Sequence, residues 1–82
     1  MRLLHMVHAF VMVKTDVAAS ESLLRMIRDL ESVAEAHIVA GEYDIIAEVS
    51  VEEVYEVLQT TASEIQSLEG VLETKTYISL EN

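Results

Sequence analysis

Residues 30–36 read Leu-Glu-Ser-Val-Ala-Glu-Ala, and residues 68–74 read Leu-Glu-Gly-Val-Leu-Glu-Thr. Leu30, Glu31, Val33 and Glu35 recur as Leu68, Glu69, Val71 and Glu73, 38 residues later in a chain of 82. Each copy closes a stretch whose apolar residues fall at helical spacing and opens a stretch that alternates like a strand. The pattern predicts a strand–helix–strand unit used twice.

The intervening residues agree with that frame. His5 to Lys14 reads as a first strand with both faces largely apolar, as expected of a strand covered on both sides. Asp16 or Ser20 is placed to cap a first helix, whose apolar positions are Leu23, Leu24, Ile27 and Leu30. Val33 to Ala40 and Tyr43 to Val49 read as two strands joined by a Gly41-Glu42 turn, which predicts an antiparallel hairpin. Ser50 and Glu53 form a capping-box pattern ahead of a second helix with the stripe Val54, Val57, Leu58, Ile65 and Leu68. Gly70 ends that helix, and Val71 to Leu80 forms the fourth strand. The order is βαββαβ in one domain spanning residues 1–82, with no linker.

Right-handed crossovers put both helices on one face of the sheet. The other face then carries Met6, His8, Phe10, Met12, Val33, Val39, Ile46 and Tyr77. A face that apolar predicts dimerisation sheet to sheet, with Met6, His8, Phe10, Met12 and Ile46 at the interface.

Composition removes several function classes. Fifteen acids against five bases give a formal charge of −10. Such a surface does not suit nucleic acid or anionic membranes, which need Lys and Arg to meet phosphates. Glu52, Glu53, Glu56 and Glu64 crowd the second helix with no base among them, an arrangement a salt-rich cytoplasm would tolerate. The chain has no cysteine, so neither disulfides nor cysteine-ligated zinc are available. Its apolar stretch from Leu3 to Val13 is too short to span a bilayer and contains two histidines. It has superficial features of a signal peptide, but its alternation reads better as a strand. His5 and His8 lie three apart on a strand and so point to opposite faces, which predicts packed histidines rather than a metal site. No serine has an evident histidine partner, so no catalytic constellation or cofactor site stands out.

The run from Leu30 to Val49, and within it Gly41-Glu42-Tyr43-Asp44 after Leu30-Glu31-Ser32-Val33, resembles the central motif of the Lrp/AsnC transcriptional regulators. Gly70-Val71-Leu72-Glu73-Thr74-Lys75-Thr76 resembles the fourth strand of their C-terminal effector-binding module, the RAM domain. The likeness runs from about Val7 to Leu80. It implies an α+β, ferredoxin-like fold of the dimeric α+β-barrel type, a four-stranded antiparallel sheet with two helices on one face. It also implies rings of dimers that bind free amino acids between dimers, in the cytoplasm, with full-length Lrp/AsnC regulators as candidate partners. The helix-turn-helix of those regulators has no counterpart here, so direct DNA binding does not carry over and a stand-alone module is expected.

The resemblance singles out Gly41, Tyr43 and Asp44 as ligand-binding residues, with Thr74 and Thr76 adding hydroxyls from the fourth strand. Asp44 offers a carboxylate to an ammonium group. The local alternative is an ordinary hairpin turn with strand-favouring threonines. Thr60, Thr61 and Ser63 are weaker candidates. Two rival functions remain open: a cofactor-free monooxygenase-like enzyme with a pocket at His8 or Tyr77, and a purely structural co-assembly subunit.

Overall fold

The computed structural model describes residues 6–81, the side chain of Thr60 excepted. Four strands, β1 (Val7–Thr15), β2 (Val33–Ile38), β3 (Ile45–Val51) and β4 (Val71–Ile78), form one antiparallel sheet in the order β2-β3-β1-β4. Between β1 and β2 lies α1 (Ser20–Arg28). Between β3 and β4 lies a second helix in three pieces: α2 (Val54–Glu56), a π-helical segment (Val57–Thr61) and α3 (Ala62–Gln66). This is the expected βαββαβ arrangement. Each helix carries the chain over one intervening strand.

Alternation decides which face of the sheet is filled. Ala9, Val11 and Val13 of β1 pair beside Val49, Ala47 and Ile45 of β3, and all six are fully buried. They pack with Leu23 and Ile27 of α1 and with Val57 and Ile65 of the second helix in a single core. Burying each of these valine, leucine and isoleucine side chains is worth about 1.5–3 kcal/mol.

The sequence repeat is a structural repeat. Leu30 N–H donates to Ile27 O and Leu68 N–H to Ile65 O, both at 3.1 Å. Val33 N–H donates to Leu30 O at 3.1 Å, and Val71 N–H to Leu68 O at 3.2 Å. Each copy then has a register shift: between Val33 and Glu35 in β2, and opposite Lys14/Thr15 between Val71 and Glu73 in β4. The extra residue flips the alternation. Val33 and Val71 therefore pack on the core, while Glu35 and Glu73 pair with residues of the open face. This corrects the placement of Val33 on the open face. Val39 falls outside β2, in the irregular segment that follows.

Several local expectations shift. The N-cap of α1 is Ala19, with no side-chain bond from Asp16 or Ser20. The turn before it instead holds Ala18 at φ 67°. The capping box forms three residues later than the Ser50/Glu53 pattern predicts: the Glu56 carboxylate accepts the N–H groups of Glu53 (3.0 Å) and Glu52 (3.1 Å). Gly70 does adopt a left-handed φ of 101°, but it sits in the turn beyond the helix end at Ser67 rather than directly after it.

The largest departure is the second helix. Ala62 N–H reaches back five residues to Val57 O. At about 100° per residue, Val54 would lie within the arc set by Val57, Thr61 and Ile65, and Leu58 at its edge. The wider π turn rotates them off it. Thr61 and Ala62 are buried, while Val54 and Leu58 stand about half exposed (46% and 50%).

The open face of the sheet carries the five predicted interface residues. Phe10 faces Glu48 on β3 and Tyr77 on β4; Met12 faces Ile46 and Lys75. Met6 and His8 lie at one end of this row and are half-buried. His8 pairs with Ser50 and His37 with Ile46, so β3 separates the two histidines and they do not meet. His5 lies outside the described residues.

Candidate functional site

The segment 39–44 joins β2 to β3 without regular structure. It is closed by Val39 N–H on Asp44 O and held to the sheet by Asp44 N–H on Val13 O, both at 2.9 Å. Asp44 Oδ2 accepts the N–H of Thr15 at 2.9 Å and lies 3.4 Å from its hydroxyl. That hydroxyl shares a hydrogen bond of 2.8 Å with Ser20 Oγ. Asp44 thus ties three places together: the hairpin, the end of β1 and the start of α1. Half-buried, it has a structural task that the hairpin sequence does not reveal. Among the described residues its second oxygen, Oδ1, has no hydrogen bond.

Gly41 is exposed, and a Cβ built on it would meet nothing within 4 Å. Its φ is not left-handed. The turn therefore does not require glycine for conformation, as the hairpin reading supposed. What glycine supplies here is open space over the backbone.

Tyr43 turns its ring to the open face. Its hydroxyl donates to Glu73 Oε2 at 3.1 Å, and Lys14 Nζ lies 5.7 Å from the ring centroid. Lys14 and Glu73 are cross-strand neighbours on β1 and β4. Lost hydration raises the Tyr43 hydroxyl above its ordinary pKa, and the bond to Glu73 and the charges of Glu73 and Glu42 raise it further.

Thr74 and Thr76 share the helix-side face of β4, opposite Val13 and Val11. Thr74 Oγ1 accepts from Gln66 Nε2 of α3 at 2.8 Å. β1 lies between them and the 39–44 segment, a separation of two strand spacings, about 10 Å. Within one protomer the predicted residues therefore form two groups. Gly41, Tyr43 and Asp44 make one and Thr74 and Thr76 the other. Gln66, not singled out from sequence, joins the second group.

A cavity of about 440 Å³ lies at the opposite end of the sheet, where β3 ends. Ser32, Ser50 and Thr61 line it with the carboxylates of Glu31, Glu52 and Glu56. The acidic run was legible; the π turn that sets Thr61 beneath it was not. Among the described residues no three His, Asp or Glu side chains gather to hold a metal ion, and no helix is long and apolar enough to cross a membrane.

The profile of the Lrp/AsnC ligand-binding domain matches residues 8–82, nearly the whole chain. The chain belongs to the Lrp/AsnC ligand-binding domain family. Solved structures agree with that membership. TTHA0845 from Thermus thermophilus is 33% identical with a TM-score of 0.86, over 93% of this chain and 95% of that one. The hypothetical protein PHS023 from Pyrococcus horikoshii is 25% identical with a TM-score of 0.83, over 93% and 92%. AsnC of E. coli is 26% identical with a TM-score of 0.83, but this chain spans only 52% of it. This Lrp/AsnC ligand-binding domain thus corresponds to about half of E. coli AsnC and to nearly all of TTHA0845. No curated protein matches the sequence.

Proposed function

We propose that this Lrp/AsnC domain is a single, non-enzymatic sensing module that binds a free α-amino acid where the 41–44 segment of one dimer meets a neighbouring dimer. The observation that carries the reading is Gly41: a glycine whose backbone is open to approach and whose conformation does not demand glycine. Beside it, Asp44 Oδ1, without a hydrogen bond among the described residues, is the acceptor proposed for an ammonium group. Thr74 and Thr76 lie on the helix side of the sheet, across β1 from Asp44, whereas Tyr43 turns to the open face. A site built between protomers bridges that division, with one copy giving Gly41, Tyr43 and Asp44 and another giving Thr74, Thr76 and Gln66. Ligand would then favour the assembled ring, because only the ring completes its pocket.

Dimerisation itself is proposed through the open face. Phe10 is 39% exposed and its cross-strand partner Tyr77 54%, with Met12 and Ile46 beside them on the same face. Association of that face in a cytoplasmic homo-oligomer covers apolar surface that a domain this small does not cover alone. Phe10→Glu would set a carboxylate beside Glu48 in that interface and should leave a monomer. Partnership with full-length Lrp/AsnC regulators is part of the same proposal. The acidic surface supports a module without direct DNA contacts.

Titration calorimetry with a panel of free amino acids on wild type and Gly41→Val tests the site. An amino acid should bind wild type with micromolar to millimolar affinity, about what so few heavy atoms allow. Gly41→Val should keep its thermal stability, because its Cβ enters open space, yet lose binding. Asp44→Asn, which keeps an acceptor for Thr15 N–H, should weaken binding by roughly 1.5–3 kcal/mol. Equal binding by wild type and Gly41→Val would move the site elsewhere. No binding at millimolar concentration would leave the structural-subunit reading.

A further inference from the structure

The two outer edges of the sheet are finished differently. In β2, Val39 N–H bonds Asp44 O across the hairpin, so by antiparallel alternation the carbonyl of Ala36 points away from β3, to the outer edge. Arg28 of α1 covers it, with Nε and Nη2 both donating to Ala36 O, at 3.1 and 2.8 Å. In β4, Ser79 N–H bonds His8 O, so the same alternation turns the backbone N–H and C=O groups of Thr76 and Thr74 outward. Among the described residues no hydrogen bond reaches those groups; Gln66 bonds only the Thr74 hydroxyl. An edge left open in this way is a template for another strand.

We infer that β4 pairs antiparallel, edge to edge, with β4 of a second copy of this chain. Charge selects both the occupant and the register. Glu73 and Lys75 stand on either side of Thr74, exposed, on the open face of the sheet. Lys75 has no ion partner among the described residues, where the one ion pair joins His37 and Glu35. Glu73 Oε2 accepts from the Tyr43 hydroxyl, while its Oε1 has no hydrogen bond among them. A two-fold axis at Thr74 sets Glu73 of each copy opposite Lys75 of the other. Those are the non-hydrogen-bonded positions of the new ladder, where facing side chains come closest. The adjacent registers that keep the same backbone bonds are repulsive: shifted one way Glu73 meets Glu73, and shifted the other way Lys75 meets Lys75. β4 therefore complements itself in one alignment. The contact extends the sheet sideways and leaves the open face free, so it joins open-face dimers to one another. It rests on that dimer and is independent of the amino-acid site.

Sedimentation velocity at micromolar concentration, with the charges exchanged, tests the pairing. Wild type should run as multiples of dimers. Lys75→Glu places carboxylates on both sides of Thr74 and should stop at dimers. Glu73→Lys should stop there too, although it lowers the net negative charge, so general repulsion would not explain its loss. An equimolar mixture of these two variants again sets opposite charges across the axis, as does Glu73→Lys/Lys75→Glu. Both should regain the larger species, and lose them as salt rises. Multiples of dimers in Lys75→Glu, a mixture that stays dimeric, or a wild type that stops at dimers would overturn the inference. Lys75→Glu reduced to monomers would also overturn it, by placing the residue in the open-face dimer. A monomeric wild type would overturn the open-face dimer and this contact together.

Discussion

The two strand–helix–strand halves make the same junction and fill it differently. Ser32 leaves α1 and meets Thr61 of the second helix; Gly70 leaves the second helix and meets Leu23 of α1. Both members of each pair stand 38 positions from their counterparts. Backbone donors support both exits, with Ser50 N–H on Ser32 O at 3.1 Å and Asp16 N–H on Gly70 O at 2.8 Å. The first junction is a hydroxyl pair, next to an acidic cavity and a π turn. The second is apolar, a glycine against a leucine methyl, beneath a regular nine-residue helix. One pattern therefore yields one polar junction and one apolar junction.

Truncating the core beneath each helix should separate the halves most. Ile27 and Ile65 are equivalent and fully buried. Ile27→Ala should cost about 3–5 kcal/mol, and Ile65→Ala about 2–3, since the π turn lets its neighbours collapse into the space. Urea unfolding measures both, and equal losses would break the contrast. Next come the junctions. Gly70→Ala should cost about 1–3 kcal/mol, because its φ of 101° strains any L side chain and its Cβ would meet Leu23 Cδ1 at 3.2 Å. Ser32→Ala should cost about 1–2 kcal/mol by leaving the buried Thr61 hydroxyl unpaired. Ser32→Ala/Thr61→Val should recover most of that loss, making the first junction apolar like the second.

The smallest effect lies where the halves meet, at the Tyr43–Glu73 bond. A hydroxyl held above its ordinary pKa of 10.0 favours the folded state while protonated. Its contribution is complete below about pH 10 and is lost as pH rises through the raised value. Stability measured on the alkaline side should fall more steeply for wild type than for Tyr43→Phe, and tyrosinate absorbance should show one tyrosine titrating late.

What the sequence made legible follows from what repeats locally. The βαββαβ order, the hairpin and the open-face row of His8, Phe10 and Met12 all rest on periodicity within a few residues. The parity of Val33 was not readable, because a bulge adds one residue without changing the alternation around it. Val54 and Leu58 read as core, because a π turn is invisible to a count at α-helical spacing. Asp44 was found as a candidate, but its bond to Thr15 spans 29 residues and no local pattern announces it. Thr74 and Thr76 read as neighbours of Asp44 because the sequence does not say that β1 stands between them.

The central proposal is therefore one of assembly, a site that copies of the chain complete together. Native mass spectrometry of the wild-type chain, with and without free amino acids, tests it most directly. Dimers and multiples of dimers should be present at micromolar concentration, and the bound amino acid should shift the population toward the larger species with ligand retained on them. A monomer that stays a monomer, or an amino acid that binds without any change in the assembly, would contradict the account.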